Sequence, residues 1–368
     1  MLIIDGDYPM AFGAMDLNRD LTLPIEEVRK AKPDQFSVNG WPDSDTLASL
    51  PEMRHGKIAV ALAKIVARHN RIGSPLWGYR GPEVTYAAAR AQMIYYQMLE
   101  IQNQVKIIRS RLDLTNHLQL WSSTVEHSNL PVGLIIGIEG ADPILQKEQV
   151  QQWWKEGLRV ISLSHYGIST YCHGTGTGTT GGLFPPAKVL LREMETNRII
   201  LDVTHASDAS AREAMELFNG PVIASHQKCR SIVPGERQFP DDLLTSVIQR
   251  GGVIGVSMDS WMLYKGGRDW SNPQPQTFSR EDITLEDYVD HIDYICQLAG
   301  NSLHAAIGGD TDGQGGRAGA PAEIDTVADY QKISKVLEDR NYSSEEIANI
   351  LYRNWQRFFE NSLPEGNS

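Results

Sequence analysis

Val-Ile-Ala-Ser-His at Val222–His226 repeats, one structural unit later, the form of Ile-Ile-Leu-Asp-Val-Thr-His at Ile199–His205. Each stretch is a short apolar run that closes on a histidine, which predicts a buried strand with an imidazole at its carboxyl end. The segment 208–219 between them is typical of a helix, with Ser207 or Asp208 as its N-cap. The unit is therefore strand, helix, strand, and its two strand ends can converge on a metal ion.

The same unit extends along most of the chain. Apolar runs predict eight strands: Leu2–Asp5, Ile58–Leu62, Gly133–Glu139, Arg159–His165, Ile199–His205, Val222–His226, Val253–Met258 and Ala305–Asp310. Segments of helical period predict helices at Val84–Ile107, Lys147–Glu156, Ala187–Thr196, Ala211–Phe218, Asp241–Gln249, Leu285–Leu298, Val327–Glu338 and Glu345–Phe359. This alternation favours the α/β class and a closed (β/α)8 barrel of the TIM type, with extra helices at the C-terminal end.

Two stretches interrupt the alternation. Residues 18–52 are polar and contain prolines, so we interpret them as an excursion beside the first strand. The Gly- and Thr-rich run 174–182 lacks the Gly-Lys-Ser/Thr ending of a phosphate-binding loop, which favours a mobile loop over the mouth of the site. Because no linker or internal repeat is visible, we expect residues 1–368 to form one barrel domain.

Composition excludes several classes of protein. The chain is 41% apolar and 22% charged, as in soluble globular proteins, and its net charge of −12 argues against a nucleic-acid partner. Three cysteines without repeated spacing indicate a reducing compartment. Neither a signal peptide nor an apolar run of about 20 residues is visible, so we expect a cytoplasmic protein without a membrane partner.

Acidic residues and histidines end six of the predicted strands: Asp5, Glu139, His165, His205, His226 and Asp310. Zinc in hydrolytic sites binds imidazole and carboxylate ligands and keeps one position open for water. Glu139, His205 and His226 would make such a set. Any one histidine alone is more often a hydrogen-bonded structural group, but several candidates at neighbouring strand ends favour the metal.

Two further strand-end residues suit proton transfer and charge stabilisation. Asp310 can take a proton from an activated water and pass it to a leaving amine; the alternative is a carboxylate that caps the next helix. His165 can donate a hydrogen bond to a substrate carbonyl oxygen, or orient a metal ligand instead. Asp312 is interpreted as a capping or calcium-like loop residue.

The loop after His226 carries two arginines and a cysteine. A guanidinium at Arg230 or Arg237 can hold a substrate carboxylate by paired hydrogen bonds, although loop arginines are often solvated charges. Their position alone does not choose between them. Cys229 is interpreted as a buried, inert thiol.

Taken together, the motifs resemble those of the membrane dipeptidase (renal dipeptidase) family of zinc metallopeptidases, which are amidohydrolase-type barrels. The motifs are Gly137–Gly140 (GIEG), Ser162–His165 (SLSH), Leu201–His205 (LDVTH), Val222–His226 (VIASH), Pro240–Asp242 (PDD), Gly308–Gly313 (GGDTDG) and Asn354–Phe358 (NWQRF). They span almost the whole chain.

The resemblance implies roles for individual residues. It implies two zinc ions bridged by Glu139, with His205 and His226 on one of them, a substrate contact from His165 and proton transfer by Asp310. The family's substrate arginine lies eleven residues after the second zinc histidine, which corresponds to Arg237. The implied reaction is hydrolysis of a dipeptide, often with a D-residue at its carboxyl end.

The first strand departs from the family pattern. The family reads Asp-Gly-His-x-Asp, whose histidine and last aspartate hold the other zinc, whereas Asp5–Pro9 reads Asp-Gly-Asp-Tyr-Pro. Asp7 replaces the histidine and would offer an oxygen ligand to a harder ion, while Pro9 has no ligating side chain. The sequence therefore predicts one complete zinc site and an incomplete second one.

The expected function is a zinc-dependent hydrolase that cleaves a dipeptide or a related small amide bearing a carboxylate. One alternative is a catalytically inactive binding or scaffold protein that has kept the fold. Another is a hydrolase of a lactone, a cyclic amide or an N-acyl amino acid, because this type of barrel supports many reactions. A homodimer is left open.

Overall fold

Parallel strands curve into a barrel that nearly closes on itself. The computed structural model describes residues 1–30, 46–71, 76–266, 279–312 and 316–366. Within these ranges the strands are β1 (Ile3–Tyr8), β2 (Ile58–Ile65), β3 (Val105–Ile107), β4 (Val132–Glu139), β5 (Leu158–Ser162), β6 (Ile200–Asp202), β7 (Val222–Gln227), β8 (Ile254–Val256) and β9 (Ala305–Ile307). Their order is β1-β2-β4-β5-β6-β7-β8-β9, and β3 pairs with β4 outside this path.

A hydrogen bond joins the two ends of the sheet. The Asp310 N–H, three residues after β9, donates to the Asp7 carbonyl of β1 at 2.9 Å. All strand pairs of the sheet are parallel. The predicted α/β barrel is therefore confirmed, and its strands direct their carboxyl ends to one mouth.

The helices are α1 (Met10–Met15), α2 (Ile25–Lys30), α3 (Leu50–His55), α4 (Pro82–Ile101), α5 (Arg111–Ser123), α6 (Glu148–Glu156), α7 (Pro185–Thr196), α8 (Asp208–Leu217), α9 (Asp241–Gln249), α10 (Leu285–Ala299), α11 (Ile333–Asp339), α12 (Ser344–Ala348) and α13 (Asn354–Ser362). Ser207 caps α8 through a hydrogen bond from the Ser210 N–H, and Ser343 forms a capping box with Glu346 at the start of α12. No helix within the described ranges is both long and apolar enough to cross a membrane.

The strands β2 and β4 are buried along their whole length. A strand with the barrel interior on one face and helices on the other reads as an apolar run, which explains the sequences of both strands. Lys64 breaks the run in β2, and its register partner on β4 is Gly137. Because its ammonium group contacts Asp202 of β6 and Ser225 of β7, this lysine points into the barrel interior.

The closing helix α13 is tied to the barrel wall. A π-helical segment, Asn349–Arg353, connects it to α12. Trp355 Nε1 then donates to the Ile307 carbonyl at 2.8 Å, and Asn354 Nδ2 donates to the Ala305 carbonyl at 2.8 Å. The helix thus satisfies carbonyl groups at the seam beside β1.

Four predicted strands end earlier than expected, since β8 ends at Val256 and β9 at Ile307, and the two strands that carry histidines are also shorter. β5 ends at Ser162 and β6 at Asp202, so His165 and His205 lie on the loops that follow. His205 has a φ of 67°, a left-handed conformation that a strand cannot accommodate. The loops, rather than the strands, aim these two imidazoles.

The predicted helix Val84–Ile107 is also too long. It begins at Pro82 and ends at Ile101, and Asn103 with a φ of 56° turns the chain into β3. The helix α5, capped by Ser110, was missed. Predicted Val327–Glu338 begins as a 3-10 segment, Val327–Lys332.

The excursion 18–52 is more structured than its polarity suggested. Leu21, Ile25 and Val28 are buried, so α2 packs on the barrel rather than extending into solvent. α3 begins within the same excursion. Residues 31–45 lie outside the described part of the chain.

Candidate active site

Three potential metal ligands converge at the barrel mouth. Glu139 ends β4, His226 lies near the end of β7, and His205 lies three residues after β6. Glu139 Oε1 is 2.8 Å from His205 Nε2 and 3.2 Å from His226 Nε2. The two Nε2 atoms are 2.9 Å apart, and all three side chains are buried. We call these residues the imidazole cluster.

The imidazole cluster fits a zinc ion. Ligand atoms around tetrahedral zinc lie about 3.3 Å apart, so the observed spacing needs shifts of only a few tenths of an ångström. His205 Nδ1 is buried and makes no hydrogen bond to the described residues. Burial followed by the Arg237 charge lowers the pKa of His205, which keeps its imidazole neutral and able to ligate.

The charge around the imidazole cluster favours a cation. Burial alone would raise the pKa of Glu139, but the charges of His165 and His226 hold it well below its ordinary range. Burial alone would lower the pKa of His226, but Asp7, Asp310 and Glu139 raise it to about 10. The surrounding carboxylates thus create a negative potential at the imidazole nitrogens.

The His226 ring is fixed by contacts at its Nδ1 atom. Its Nδ1 lies 3.0 Å from Asp7 Oδ1 and 2.9 Å from Ser225 Oγ. A carboxylate on one ring nitrogen fixes the ring orientation and leaves the other nitrogen for a ligand. Asp7 therefore contacts the site through an imidazole.

His165 faces Glu139 from the loop after β5. Its Nδ1 is 2.8 Å from Arg68 Nη1, and because a guanidinium only donates, this nitrogen accepts. The ring proton consequently lies on Nε2, 3.6 Å from Glu139 Oε1. Arg68 was missed by sequence reasoning, although an arginine three residues after the end of a buried strand was a visible signal.

Asp310 faces the imidazole cluster from the loop that follows the last strand, three residues after β9. Its Oδ2 lies 3.8 Å from His226 Nε2, and its backbone has a φ of 58°. Burial and then the charge of Asp259 raise its pKa well above the ordinary value. Nearby, the buried Lys228 Nζ donates to the Asp259 carbonyl at 2.8 Å. This environment suits a carboxyl group that exchanges a proton.

The structure separates the two candidate arginines. Arg237 is 1% exposed, and its Nη2 lies 3.3 Å from His205 Nε2. Arg230 forms a bidentate ion pair with Asp208, with distances of 2.7 and 2.8 Å. Arg237 lies in the site, whereas Arg230 fixes the loop to α8.

Asp312 and Cys229 lie apart from this chemistry. Asp312 accepts hydrogen bonds from the Leu47 N–H at 2.9 Å and the Ala48 N–H at 3.3 Å, so it fastens the chain segment before α3. Burial raises the pKa of the Cys229 thiol, which disfavours the reactive thiolate.

A lysine lies beneath Asp7. Lys64 Nζ is 2.7 Å from Asp202 Oδ2, 3.1 Å from Asp7 Oδ1 and 3.2 Å from Ser225 Oγ, and all four side chains are fully buried. We call these four residues the lysine cluster. Burial would lower the pKa of Lys64, but Asp202 and Asp7 raise it above the ordinary value. Sequence analysis did not single out this lysine, although it interrupts the apolar run of β2.

The cleft that opens onto the imidazole cluster combines an apolar wall with a charged and polar one. Pro9, Phe12, Val66, Leu76 and Tyr166 line it, together with Arg68 and the site residues Glu139, His165, His205 and Asp310. The Gly- and Thr-rich run lies beside it: the Thr175 N–H donates to the His205 carbonyl, and the Gly178 N–H donates to the Glu236 carboxylate. The cleft suits a small substrate with one polar end.

Comparison with known proteins identifies relatives of the whole barrel. Residues 11–364 match the family model described as membrane dipeptidase, peptidase family M19. Dipeptidase aclJ of Aspergillus oryzae is 28% identical over 227 residues, which cover 61% of this chain and 50% of that protein. An uncharacterized dipeptidase of Schizosaccharomyces pombe is 26% identical over 240 residues, covering 64% and 55%. The chain thus spans about half the length of the curated relatives it matches.

Solved structures share the fold. The dipeptidase AC, a metallopeptidase, superposes with a TM-score of 0.77 at 20% identity and covers 99% of both chains. A metallopeptidase from Rhodobacter sphaeroides, liganded with a phosphinate mimic of the dipeptide L-Ala-D-Ala, gives a TM-score of 0.75 at 18% identity. It covers 98% of this chain and 99% of its own.

Proposed function

Because the chain belongs to the membrane dipeptidase family, we propose that it is a metal-dependent hydrolase of dipeptides or related small amides that carry a carboxylate. The observation that carries this proposal is the convergence of Glu139, His205 and His226 beside Arg237. Two imidazoles and a carboxylate form a ligand set of hydrolytic zinc sites. A buried guanidinium next to it supplies a partner for a substrate carboxylate.

Glu139, His205 and His226 would hold a single zinc ion. When bound, such an ion supplies Lewis-acid chemistry that activates a water molecule and polarises the scissile carbonyl. The side chains of the chain then have separate tasks around the amide. Each task follows from the distances and proton positions described above.

Arg237 holds the substrate carboxylate. Its guanidinium is already positioned by hydrogen bonds to the His226 carbonyl at 3.0 Å and to Gln227 Oε1 at 3.1 Å. Its Nε is buried and makes no hydrogen bond to the described residues. A carboxylate would satisfy this donor and would fix the amide relative to the imidazole cluster.

His165 and Asp310 complete the reaction. The Nε2 proton of His165 is directed into the site by Arg68 and can be donated to the carbonyl oxygen as negative charge develops there. Asp310 takes a proton from the attacking water and delivers it to the departing amine, so that the C–N bond breaks and a C–O bond forms. The products are two molecules with a carboxylate and an amine at the cleaved bond.

A panel of substrates tests the proposal. The purified protein with added zinc is assayed on L,L- and L,D-dipeptides, and His226→Ala serves as the inactive control. We expect turnover by the parent protein and none by the control. The phosphinate complex of the Rhodobacter sphaeroides enzyme supports including L-Ala-D-Ala. Absence of turnover on the entire panel would favour the binding or scaffold alternative.

Arg68 supports a second substrate class. Its guanidinium lines the cleft beside the site and would repel the free ammonium group of a dipeptide. An N-acyl amino acid has the same carboxylate for Arg237 but no such ammonium. We therefore add N-acetyl amino acids to the panel, and a kcat/KM above that of the matched dipeptides would favour this class.

A further inference from the structure

A second group of potential metal ligands lies beside the imidazole cluster. Ligand atoms of Asp7, His226 and Asp310 lie within 4.8 Å of one another, and Asp7 and His226 are fully buried. Asp7 Oδ2 makes no hydrogen bond to the described residues. By ligand type alone, this group could hold a divalent cation.

The Lys64 ammonium group already lies among these ligands. It has three N–H donors, and three acceptors surround it: Asp202 Oδ2 at 2.7 Å, Asp7 Oδ1 at 3.1 Å and Ser225 Oγ at 3.2 Å. The lysine cluster is 0% to 1% exposed, so water does not screen its charges. One fixed positive charge therefore lies between the carboxylates of Asp7 and Asp202.

The strand beside Lys64 makes room for its stem. Gly137 is the register partner of Lys64 on β4. A Cβ atom at this glycine would lie 3.0 Å from Lys64 Cδ, closer than ordinary van der Waals contact. The barrel wall thus accommodates the extended lysine, and the ammonium group is fixed beneath Asp7.

A divalent cation on Asp7 would oppose this charge. A metal ion bound to Asp7 Oδ2 would lie within about 7 Å of the ammonium group, because Oδ1 of the same carboxylate is 3.1 Å from Lys64 Nζ. At this separation in a buried site, repulsion between a single and a double positive charge weakens binding by at least about 1000-fold. The ammonium group and a metal ion would therefore compete for the Asp7 carboxylate.

We propose that the Lys64 ammonium group replaces a metal ion at Asp7, so that the chain binds metal in the imidazole cluster and excludes it from the Asp7, His226 and Asp310 group. The inference rests on the proposed function for the first of these sites. For the second it depends only on Lys64 and its acceptors. Lys64 is a positioning residue, because it holds Asp7 against His226 Nδ1.

Counting and locating bound zinc tests the proposal. The parent and Lys64→Met proteins are equilibrated with zinc, freed of excess metal and analysed for ions per chain, and anomalous diffraction locates each ion. We expect one ion in the parent, at the imidazole cluster. In K64M, which keeps the length of the stem but removes the charge, we expect a further ion on Asp7.

Two more variants make the outcome decisive. Lys64→Arg retains the charge and should bind no ion at Asp7, and Lys64→Gln, which retains a donor to Asp7, replaces K64M if that variant does not fold. An ion on Asp7 in the parent, or the absence of an ion on Asp7 in the folded neutral variant, would overturn the proposal. Absence of metal from the imidazole cluster of the parent would refute the proposed function alone, because anomalous diffraction reports an ion at Asp7 independently of one at the imidazole cluster.

Discussion

The imidazole cluster and the lysine cluster lie side by side in the barrel, where His226 of the first contacts Asp7 of the second. Both are buried, yet their carboxylates face different kinds of partner. In the imidazole cluster, the Glu139 carboxylate faces the Nε2 atoms of His205 and His226. In the lysine cluster, Asp7 and Asp202 face an ammonium group that the chain itself supplies. The proposal for Asp7 thus predicts that a strand-end carboxylate binds metal only where no ammonium group of the chain already pairs with it.

The two clusters also differ in how they can fail. Removing a ligand from the imidazole cluster should abolish metal binding and activity but leave the barrel folded, because no ion pair that supports the fold is broken there. Removing a partner from the lysine cluster should weaken the barrel, because a buried charge is then uncompensated. Function and stability are thus separated over a few ångströms, and three substitutions examine this separation.

Glu139→Gln should have the largest effect. The change keeps the shape of the side chain but removes the negative charge that faces both imidazoles, so we expect loss of bound zinc and a fall in kcat/KM of about 10⁴-fold. Elemental analysis and dipeptide assays measure the two quantities. His117→Gln is the matched control, since His117 is a buried histidine whose Nε2 contacts the Ala59 carbonyl far from the site. Equal losses in both variants would contradict the role of Glu139.

Asp202→Asn should destabilise the fold without removing metal. Asp202 is the closest partner of Lys64, and breaking a buried ion pair should lower the free energy of unfolding by about 3 kcal/mol. Denaturant titration with a zinc count checks this. The exposed Asp242, which pairs with Arg212, provides the control Asp242→Asn, expected within about 0.5 kcal/mol of the parent.

The effect of Asp202→Asn should depend on pH. Burial would raise the pKa of Asp202, but Lys64 and His226 hold it below its ordinary value of 3.8. Because the folded pKa is the lower one, the stabilisation is complete above pH 3.8 and is lost as the pH falls towards the folded value. The difference between parent and variant should therefore be constant near neutrality and shrink on acidification. A difference that grew on acidification would contradict the ion pair.

Arg237→Lys should have the smallest effect. A lysine keeps the charge but loses the paired donors, so we expect KM for a dipeptide to rise about 10-fold with little change in kcat. Arg230→Lys is the matched control, and its KM should change less than about 2-fold, because Arg230 bonds Asp208 instead. A larger effect at Arg230 would reverse the assignment of the two arginines.

The sequence predicted the barrel because strand length and apolar composition are local properties. It predicted the strand-end residues as a group for the same reason, since parallel strands bring their carboxyl ends together. It also placed Glu139, His205 and His226 in one set before any distance was known. Arg237 was selected over Arg230 only through the family resemblance.

Other features depended on contacts that no local pattern encodes. The ends of β6 and β9 were predicted too late because the residues that follow them, His205 and Asp310, have left-handed backbone conformations that an apolar pattern does not encode. Lys64 was missed because a single lysine in an apolar strand has no meaning until Asp7 and Asp202 are brought beside it. The polar excursion was misjudged because α2 buries only one narrow face.

The left-handed backbone at His205 and Asp310 limits how these positions can change over evolutionary time. A side chain other than glycine costs about 1 kcal/mol in this conformation, so glycine would relieve strain at both positions. Drift towards greater stability therefore leads away from the imidazole and the carboxyl group. A lineage that no longer needed these two side chains would be expected to lose them early.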